Sequence, residues 1–169
     1  MSNDPTETPS LHQIAADLGS QMLARRLKLA VAESCTGGWV CKVVTEISGS
    51  SDWFDAGFVA YSYEAKEAML GVDRRILERY GAVSEEAVLE MVRGALSRSR
   101  ANVALAITGI AGPTGGTPDK PVGTVWVAWG FGHHPPEAAV FLFSGDREQV
   151  RRDTVRVALR GVQEMLERH

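Results

Sequence analysis

The sequence predicts one α/β domain, built as three layers (α/β/α) around a mixed central sheet. Short apolar runs typical of buried strands alternate with segments whose apolar residues recur every three or four positions, as in amphipathic helices. The last two strand-like segments are joined by a short connection, residues 130–137, which favours an antiparallel hairpin within the sheet. A length of 169 residues with 44% hydrophobic content suits a single domain with a substantial core.

The first half of the chain supplies two strands and three helices. Residues 1–9 are predicted to be disordered, and an amphipathic helix follows from Leu11 to Met22. Leu29–Ala32 is typical of a short buried strand, and a second helix begins after Gly38. A second strand over 57–61 then runs into a short helix over 64–70, which we expect to end near Gly71.

The second half supplies the remaining strands and the last helix. Ser84 is a good N-cap for a longer helix because two glutamates follow it in the first turn. Val103–Ile107 is almost continuously apolar, as expected for a strand covered on both faces. Strands are predicted over 124–129 and 138–143, and the final helix is predicted to start near Asp146.

Composition excludes several classes of protein. A net charge of −3 argues against general affinity for nucleic acid, and no apolar run approaches the ~18 residues of a membrane span. The N-terminus lacks the features of a secretory signal, so we expect a cytoplasmic protein. Two cysteines and four scattered histidines indicate neither a disulfide framework nor a zinc site, and no metal or cofactor is predicted.

The segment Glu33-Ser34-Cys35-Thr36-Gly37-Gly38 lies where the first strand becomes a helix. This arrangement predicts that Ser34 lies at a helix N-terminus, where free N–H groups and the helix dipole favour a phosphate or an oxyanion. The paired glycines would let a ligand approach the backbone closely. An ordinary Ser/Thr cap with a tight turn is the alternative interpretation.

A glycine- and proline-rich loop over 108–123 follows the strand that ends near Ile107. Ligands in open α/β sheets bind at the carboxyl ends of strands, and a loop of this length is more often functional than merely connecting. The loop fits neither the dinucleotide fingerprint nor the nucleoside-triphosphate loop. Lys66, by itself, is typical of a solvated helix lysine, although a desolvated lysine can act as the base for a serine.

Several blocks of the sequence together resemble the CinA C-terminal domain family. The match extends from about residue 10 to 167, with the blocks in the expected order: 33–38, 59–66, 81–86, 106–113, 120–125 and 145–147. The family includes nicotinamide-nucleotide amidases, which convert nicotinamide mononucleotide to nicotinate mononucleotide and ammonia. Longer members add a molybdopterin-binding-like domain, and this chain resembles the stand-alone amidase form, with residues 10–169 as the amidase domain.

The resemblance implies roles for individual residues. Ser34 would be the nucleophile and Lys66 its general base, with Tyr61 orienting the lysine or shuttling a proton and Thr108 binding substrate or assisting at the oxyanion. Thr36, Gly37, Gly38, Gly109, Gly112 and Arg147 would bind the substrate, with Arg147 on its phosphate. The resemblance also implies a homodimer. The family commonly has Asn where Tyr63 stands, so the larger ring is expected to reshape the pocket wall.

Two alternatives stay open at the level of sequence. Cys35 adjoins Ser34, and a thiol with a lowered pKa at a helix N-terminus is a good nucleophile, although a buried and inert role is the favoured interpretation for Cys35 and Cys41. The second alternative is a catalytically silent regulatory or binding module linked to competence or DNA damage. The last helix carries arginines that could form a basic stripe, namely Arg147, Arg151, Arg152, Arg156 and Arg160. Acidic residues interspersed among them favour a salt-bridged, solvated face instead.

Overall fold

Five strands form one mixed sheet in the computed structural model, which describes residues 8–169. They are β1 (Leu29–Glu33), β2 (Phe54–Val59), β3 (Val103–Gly109), β4 (Thr124–Phe131) and β5 (Glu137–Leu142). The spatial order is β2-β1-β3-β4-β5. β1 is parallel to both neighbours, whereas β3–β4 and β4–β5 are antiparallel pairs, so the parallel half and the antiparallel half meet at β3.

Among residues 8–169, six helices cover the two faces of the sheet. They are α1 (Leu11–Ala24), α2 (Trp39–Thr45), α3 (Tyr63–Leu70), α4 (Arg74–Tyr80), α5 (Glu85–Ser97) and α6 (Arg147–Arg168), and a 3-10 turn lies at Ser50–Asp52. α1, α2 and α6 pack on one face, and α3, α4 and α5 on the other. This is the three-layer α/β/α fold that the sequence predicts.

Side chains of β1 alternate between two separate cores. Leu29 and Val31 lie in the core under α1, α2 and α6, whereas Ala30 and Ala32 lie in the core under α3, α4 and α5. The same alternation continues to the end of the strand, so that Glu33 and Ser34 face opposite helical layers. Alanines also predominate on the α5 side of β3, and small side chains let that helix approach the sheet closely.

Element boundaries differ from the predictions in a few places. α4 was missed because Leu77 is its only buried residue, so the segment has almost no apolar stripe. β2 begins at Phe54 and ends at Val59, which leaves Tyr61 outside the strand. The predictions of Gly71 as the end of α3, Ser84 as the N-cap of α5 and a start of α6 near Asp146 are confirmed, and Asp146 is the N-cap of α6.

The predicted disordered N-terminus falls mostly outside the described residues, which begin at residue 8. Residues 8 and 9 belong to neither helix nor strand, and the Pro9 carbonyl accepts a hydrogen bond of 2.6 Å from Arg156 Nη1. Within residues 8–169, no helix combines the length and apolar character needed to cross a membrane.

Candidate active site

Ser34 lies in a tight turn directly after β1, at the edge of the sheet where the three parallel strands end. The turn closes through a 3.0 Å hydrogen bond from Gly37 N–H to the Ser34 carbonyl. Gly37 (φ +59°) and Gly38 (φ +96°) both have left-handed backbones, which explains why glycine occupies these positions. Ser34 is buried, with 8% of its surface exposed.

The helix N-terminus beside Ser34 is already occupied by a side chain of the protein. Glu33, fully buried, accepts hydrogen bonds from the N–H groups of Gly38 (3.1 Å), Val40 (3.1 Å) and Cys41 (2.9 Å). The expectation that these N–H groups are free for a phosphate or oxyanion was therefore wrong. Because neighbouring residues face opposite layers, Glu33 folds onto α2 while Ser34 turns the other way.

Lys66 approaches Ser34 from the first half of α3. Its Nζ lies 3.0 Å from Ser34 Oγ, 2.8 Å from the Ala60 carbonyl and 3.1 Å from the Tyr61 carbonyl. Only 1% of the lysine is exposed. The interpretation of Lys66 as a solvated helix lysine, which the local sequence favoured, was therefore wrong. Lys66 is a buried amine in contact with Ser34.

Burial lowers the pKa of Lys66 from the usual 10.5 to about 8, because the charged form loses its hydration. The described residues place no carboxylate within ion-pair distance of the amine to offset that loss. At pH 7 about one tenth of the molecules then carry a neutral Lys66. A neutral amine has a lone pair that can accept a proton.

Cys35 is a poor nucleophile in this environment. Burial raises the pKa of its thiol to about 12, so the thiolate is scarce at neutral pH. Burial together with the nearby Glu33 carboxylate also raises the pKa of Cys41. The raised pKa values agree with the inert roles favoured from sequence, but Cys41 is only partly buried and not fully buried as predicted.

Tyr61 contributes to the site in a different way from that expected. Its backbone carbonyl contacts Lys66, whereas its side chain is 59% exposed and its hydroxyl accepts a 3.3 Å hydrogen bond from Arg147 Nη2. Arg147 Nη1 also donates to the Gly112 carbonyl at 2.8 Å. Arg147 is therefore an exposed guanidinium held between the 108–123 loop and Tyr61, and it has further N–H groups to offer a ligand.

Thr108 lies at the carboxyl end of β3, beside the end of β1. Its hydroxyl donates to the Ala82 carbonyl at 2.7 Å, so its single proton is committed within the fold. It can still accept a hydrogen bond, but it cannot donate one to an oxyanion without giving up Ala82.

Packing accounts for two of the predicted ligand-binding glycines. A Cβ on Gly109 would lie 2.7 Å from Val125 Cγ2, and one on Gly112 would lie 2.4 Å from Val122 Cγ1. The Gly112 carbonyl also holds Arg147, as described above. The Tyr63 ring, at the start of α3, lies 5.7 Å from the Arg74 guanidinium at the start of α4.

Arg151 is a site residue that sequence reasoning did not single out. From α6 it donates Nε to the Cys35 carbonyl and Nη2 to the Thr36 carbonyl, both at 3.0 Å, and it lies over the Trp39 ring at 5.3 Å. It is one helical turn beyond Arg147, on the same face. That i, i+4 spacing was the available signal, but the sequence could not show which arginines of the stripe face the Ser34 turn.

Cavities lie at both ends of the strands of the sheet. One of about 440 Å³ adjoins the Ser34 turn and is lined by Gly37, Gly38, Trp39, Lys42 and Arg151. A larger one of about 700 Å³ lies at the opposite edge of the sheet, before β3 and after β4, where Asn102 and His133 are among its lining residues. The second cavity is remote from Ser34 and Lys66.

Residues 11–166 match the model of the CinA C-terminal domain. The chain belongs to the CinA C-terminal domain family. The sequence resemblance is thereby confirmed, and the match includes Ser34, Lys66 and Arg151 together with all the strands of the sheet.

Similar proteins include named enzymes and solved structures. The nicotinamide-nucleotide amidohydrolase PncC of Escherichia coli is 50% identical over 149 residues, which is 88% of this chain and 90% of that protein. The protein of the same name from Pseudomonas putida is 48% identical over 153 residues, covering 88% of this chain and 92% of that protein. The crystal structure of the competence/damage inducible protein CihA from Agrobacterium tumefaciens matches with a TM-score of 0.90 at 40% identity, over 99% of both chains.

Proposed function

We propose that this CinA-domain protein hydrolyses the carboxamide of nicotinamide mononucleotide to nicotinate mononucleotide and ammonia. The observation that carries the proposal is the buried Lys66 amine, 3.0 Å from Ser34 Oγ and with its pKa lowered by burial to about 8. Such a pair is suited to acyl transfer through a serine. The substrate is proposed from the names of relatives about 50% identical, the nicotinamide-nucleotide amidohydrolases.

The surroundings of Lys66 orient its lone pair. A neutral amine has two N–H groups and one lone pair, and the Ala60 and Tyr61 carbonyls can only accept hydrogen bonds. Two N–H groups directed at these carbonyls leave the lone pair for the third neighbour, Ser34 Oγ. Lys66 in its neutral form therefore accepts the serine proton rather than donating one.

The proposed reaction has two halves. Ser34 Oγ attacks the carboxamide carbon and its proton passes to Lys66; the tetrahedral intermediate then collapses, the C–N bond breaks and the Lys66 proton leaves with ammonia. Water next attacks the acyl ester and gives its proton to Lys66. The ester C–O bond then breaks, Lys66 passes this proton to Ser34 Oγ, and the acid is released with both residues restored. The scheme uses no metal or cofactor.

Other site residues take positioning and binding roles in this proposal. The Tyr61 carbonyl orients Lys66, and Arg147 binds the substrate phosphate with the N–H groups it does not spend on Gly112 and Tyr61. Thr108 accepts a hydrogen bond from the carboxamide nitrogen, since its own proton is committed to Ala82. Gly37 and Gly38, which have no side chains, let the reacting carbonyl approach the turn beside Thr36, although their own N–H groups are bonded within the fold.

The alternative of a nucleic-acid-binding module gains no support from α6. Arg147 and Arg151 contact the loops of the site, Arg152 pairs with Glu148, and Arg156 donates to the Pro9 carbonyl. These contacts give four of the five arginines roles within the fold. We propose a cytoplasmic enzyme, homodimeric and formed by residues 10–169, that acts on a small nucleotide; size-exclusion chromatography with light scattering tests the dimer.

The experiment that tests the proposal combines two product assays with two variants. Ammonia release and nicotinate mononucleotide are measured with the purified protein and nicotinamide mononucleotide. Ser34→Ala should lower activity by about four orders of magnitude or more with the fold intact, whereas Cys35→Ala should retain most activity.

Two outcomes contradict the proposal. If Cys35→Ala is inactive and Ser34→Ala active, the thiol is the nucleophile. If the folded protein forms neither product, the chain is a catalytically silent module, and a DNA titration at physiological salt then tests the regulatory alternative.

A further inference from the structure

The turn that carries Ser34 is held at both of its polar ends by charged side chains. The Glu33 carboxylate accepts from the N–H groups at the start of α2, and the Arg151 guanidinium donates to the carbonyls of Cys35 and Thr36. Gly37 N–H is used to close the turn. Most of the backbone polar groups of the turn are therefore already committed.

Thr36 has polar groups without a partner inside the fold. Among residues 8–169, its N–H makes no hydrogen bond, as is also true of the Ser34 and Cys35 N–H groups, and its fully buried hydroxyl has no partner. An unpaired buried polar group costs about 1–3 kcal/mol, so a site that keeps such groups is prepared for a ligand atom.

The direction of the Thr36 N–H follows from the geometry of the peptide bond. The Cys35 carbonyl and the Thr36 N–H belong to one planar trans peptide and point in opposite directions. Arg151 Nε donates to that carbonyl from α6, which covers one face of the sheet, whereas Lys66 belongs to α3 on the other face. Thr36 N–H is thus directed away from α6, towards the face from which Lys66 reaches Ser34.

We propose that Arg151 is a positioning residue for amide hydrolysis, which holds the Cys35–Thr36 peptide so that Thr36 N–H donates to the oxyanion. This inference rests on the proposed serine mechanism, and it does not use Gly37 N–H because that group closes the turn. Cation–π contact with Trp39 keeps the guanidinium in place, and its positive charge polarises the peptide it holds.

The test compares Arg151→Met with Arg152→Met. Arg152 is adjacent in α6 and also lies over Trp39, at 5.7 Å, but it donates to Glu148 and has no hydrogen bond to the turn. Arg151→Met should lower kcat about 100-fold with KM changed less than threefold, since loss of an oriented oxyanion donor typically costs 10²–10³ in kcat. Arg152→Met should stay within about twofold of wild type, and Arg151→Lys, with a single donor group, should be intermediate.

Two readouts separate positioning from a purely structural role. The alkaline rise of kcat/KM through the Lys66 pKa should be unchanged in Arg151→Met, because Arg151 does not contact the amine. In ¹⁵N-labelled protein, the Thr36 amide nitrogen should shift upfield in Arg151→Met but not in Arg152→Met, since the preceding carbonyl loses its hydrogen bond.

The outcomes that overturn the inference are distinct from failure of the proposed function. A raised KM with unchanged kcat would make Arg151 a substrate-binding residue, whereas wild-type values of both kcat and KM would leave it without a role in the reaction. An inactive wild-type protein would overturn the serine mechanism and, with it, the oxyanion role. The Thr36 shift needs no turnover, so an unchanged resonance in Arg151→Met overturns the positioning itself.

Discussion

Lys66→Met should abolish amidase activity and change how the stability of the protein depends on pH. Methionine has nearly the length of lysine and suits a buried position, but it has neither a charge nor a lone pair for the Ser34 proton. A buried amine that serves catalysis is expected to cost stability, and the structure gives the size and the sign of that cost.

The magnitude follows from the pKa of Lys66, which folding lowers from 10.5 to about 8. At 1.36 kcal/mol per pKa unit, this difference lowers wild-type stability by about 3 kcal/mol wherever both states are protonated, which is below pH 8. Between pH 8 and 10.5 the folded protein has lost the proton while the unfolded chain keeps it, so wild-type stability recovers as the pH rises. Above 10.5 the penalty is absent.

Methionine also leaves the Ala60 and Tyr61 carbonyls without their donor, at about 1 kcal/mol each. The variant should therefore be more stable than wild type by about 1 kcal/mol at pH 7 and less stable by about 2 kcal/mol near pH 10.5. Other titrating groups are shared by the two proteins and cancel in the difference.

Urea unfolding followed by circular dichroism at pH 7, 8.5, 9.5 and 10.5 measures this difference directly. The expected result is a change of about 3 kcal/mol across the series, with a reversal of sign. Parallel stability curves for the two proteins would refute the reasoning, because they would show that folding does not lower the pKa of Lys66. Activity of Lys66→Met near wild type would show that another group is the base.

Three further results are expected. The kcat/KM of wild type should rise with pH through about 8, and Lys66→Arg should be nearly inactive because guanidinium keeps its proton; a flat pH profile or an active arginine variant would contradict Lys66 as base. Arg147→Ala should lower kcat/KM for nicotinamide mononucleotide by about two orders of magnitude, which is a loss of roughly 2–4 kcal/mol. Any turnover of the unphosphorylated riboside should fall far less. Equal losses for the two substrates would mean that Arg147 supports the loop through Gly112 instead. Glu33→Gln should destabilise the protein by about 3 kcal/mol in urea unfolding, because the NH₂ of glutamine would face backbone N–H donors that the Glu33 carboxylate accepts in the wild-type protein. Unchanged stability would contradict the capping role of Glu33.

Local patterns in the sequence determined the fold class and most element boundaries. Caps such as Ser84 and Asp146 and the end of α3 at Gly71 depend on hydrogen bonds and backbone angles within a few residues, so they can be predicted from neighbouring residues. The short helix α4 could not, since one buried leucine makes no periodic signal. The family blocks indicated Ser34 and Lys66 as a pair, although Lys66 alone was typical of a solvated residue.

Only the tertiary structure decided how these residues are arranged. Burial of Lys66, the direction of its lone pair and its lowered pKa depend on carbonyls brought to it by the end of β2 and on packing of α3 against the sheet. The N–H groups at the start of α2 are not free because the Glu33 carboxylate, one residue before the serine, accepts their hydrogen bonds. The hydrogen bond from Arg151 to the Cys35 carbonyl joins residues more than a hundred positions apart in the chain. Sequence determines what each residue can donate or accept locally, whereas partners from distant segments and exclusion of water exist only once the chain has folded.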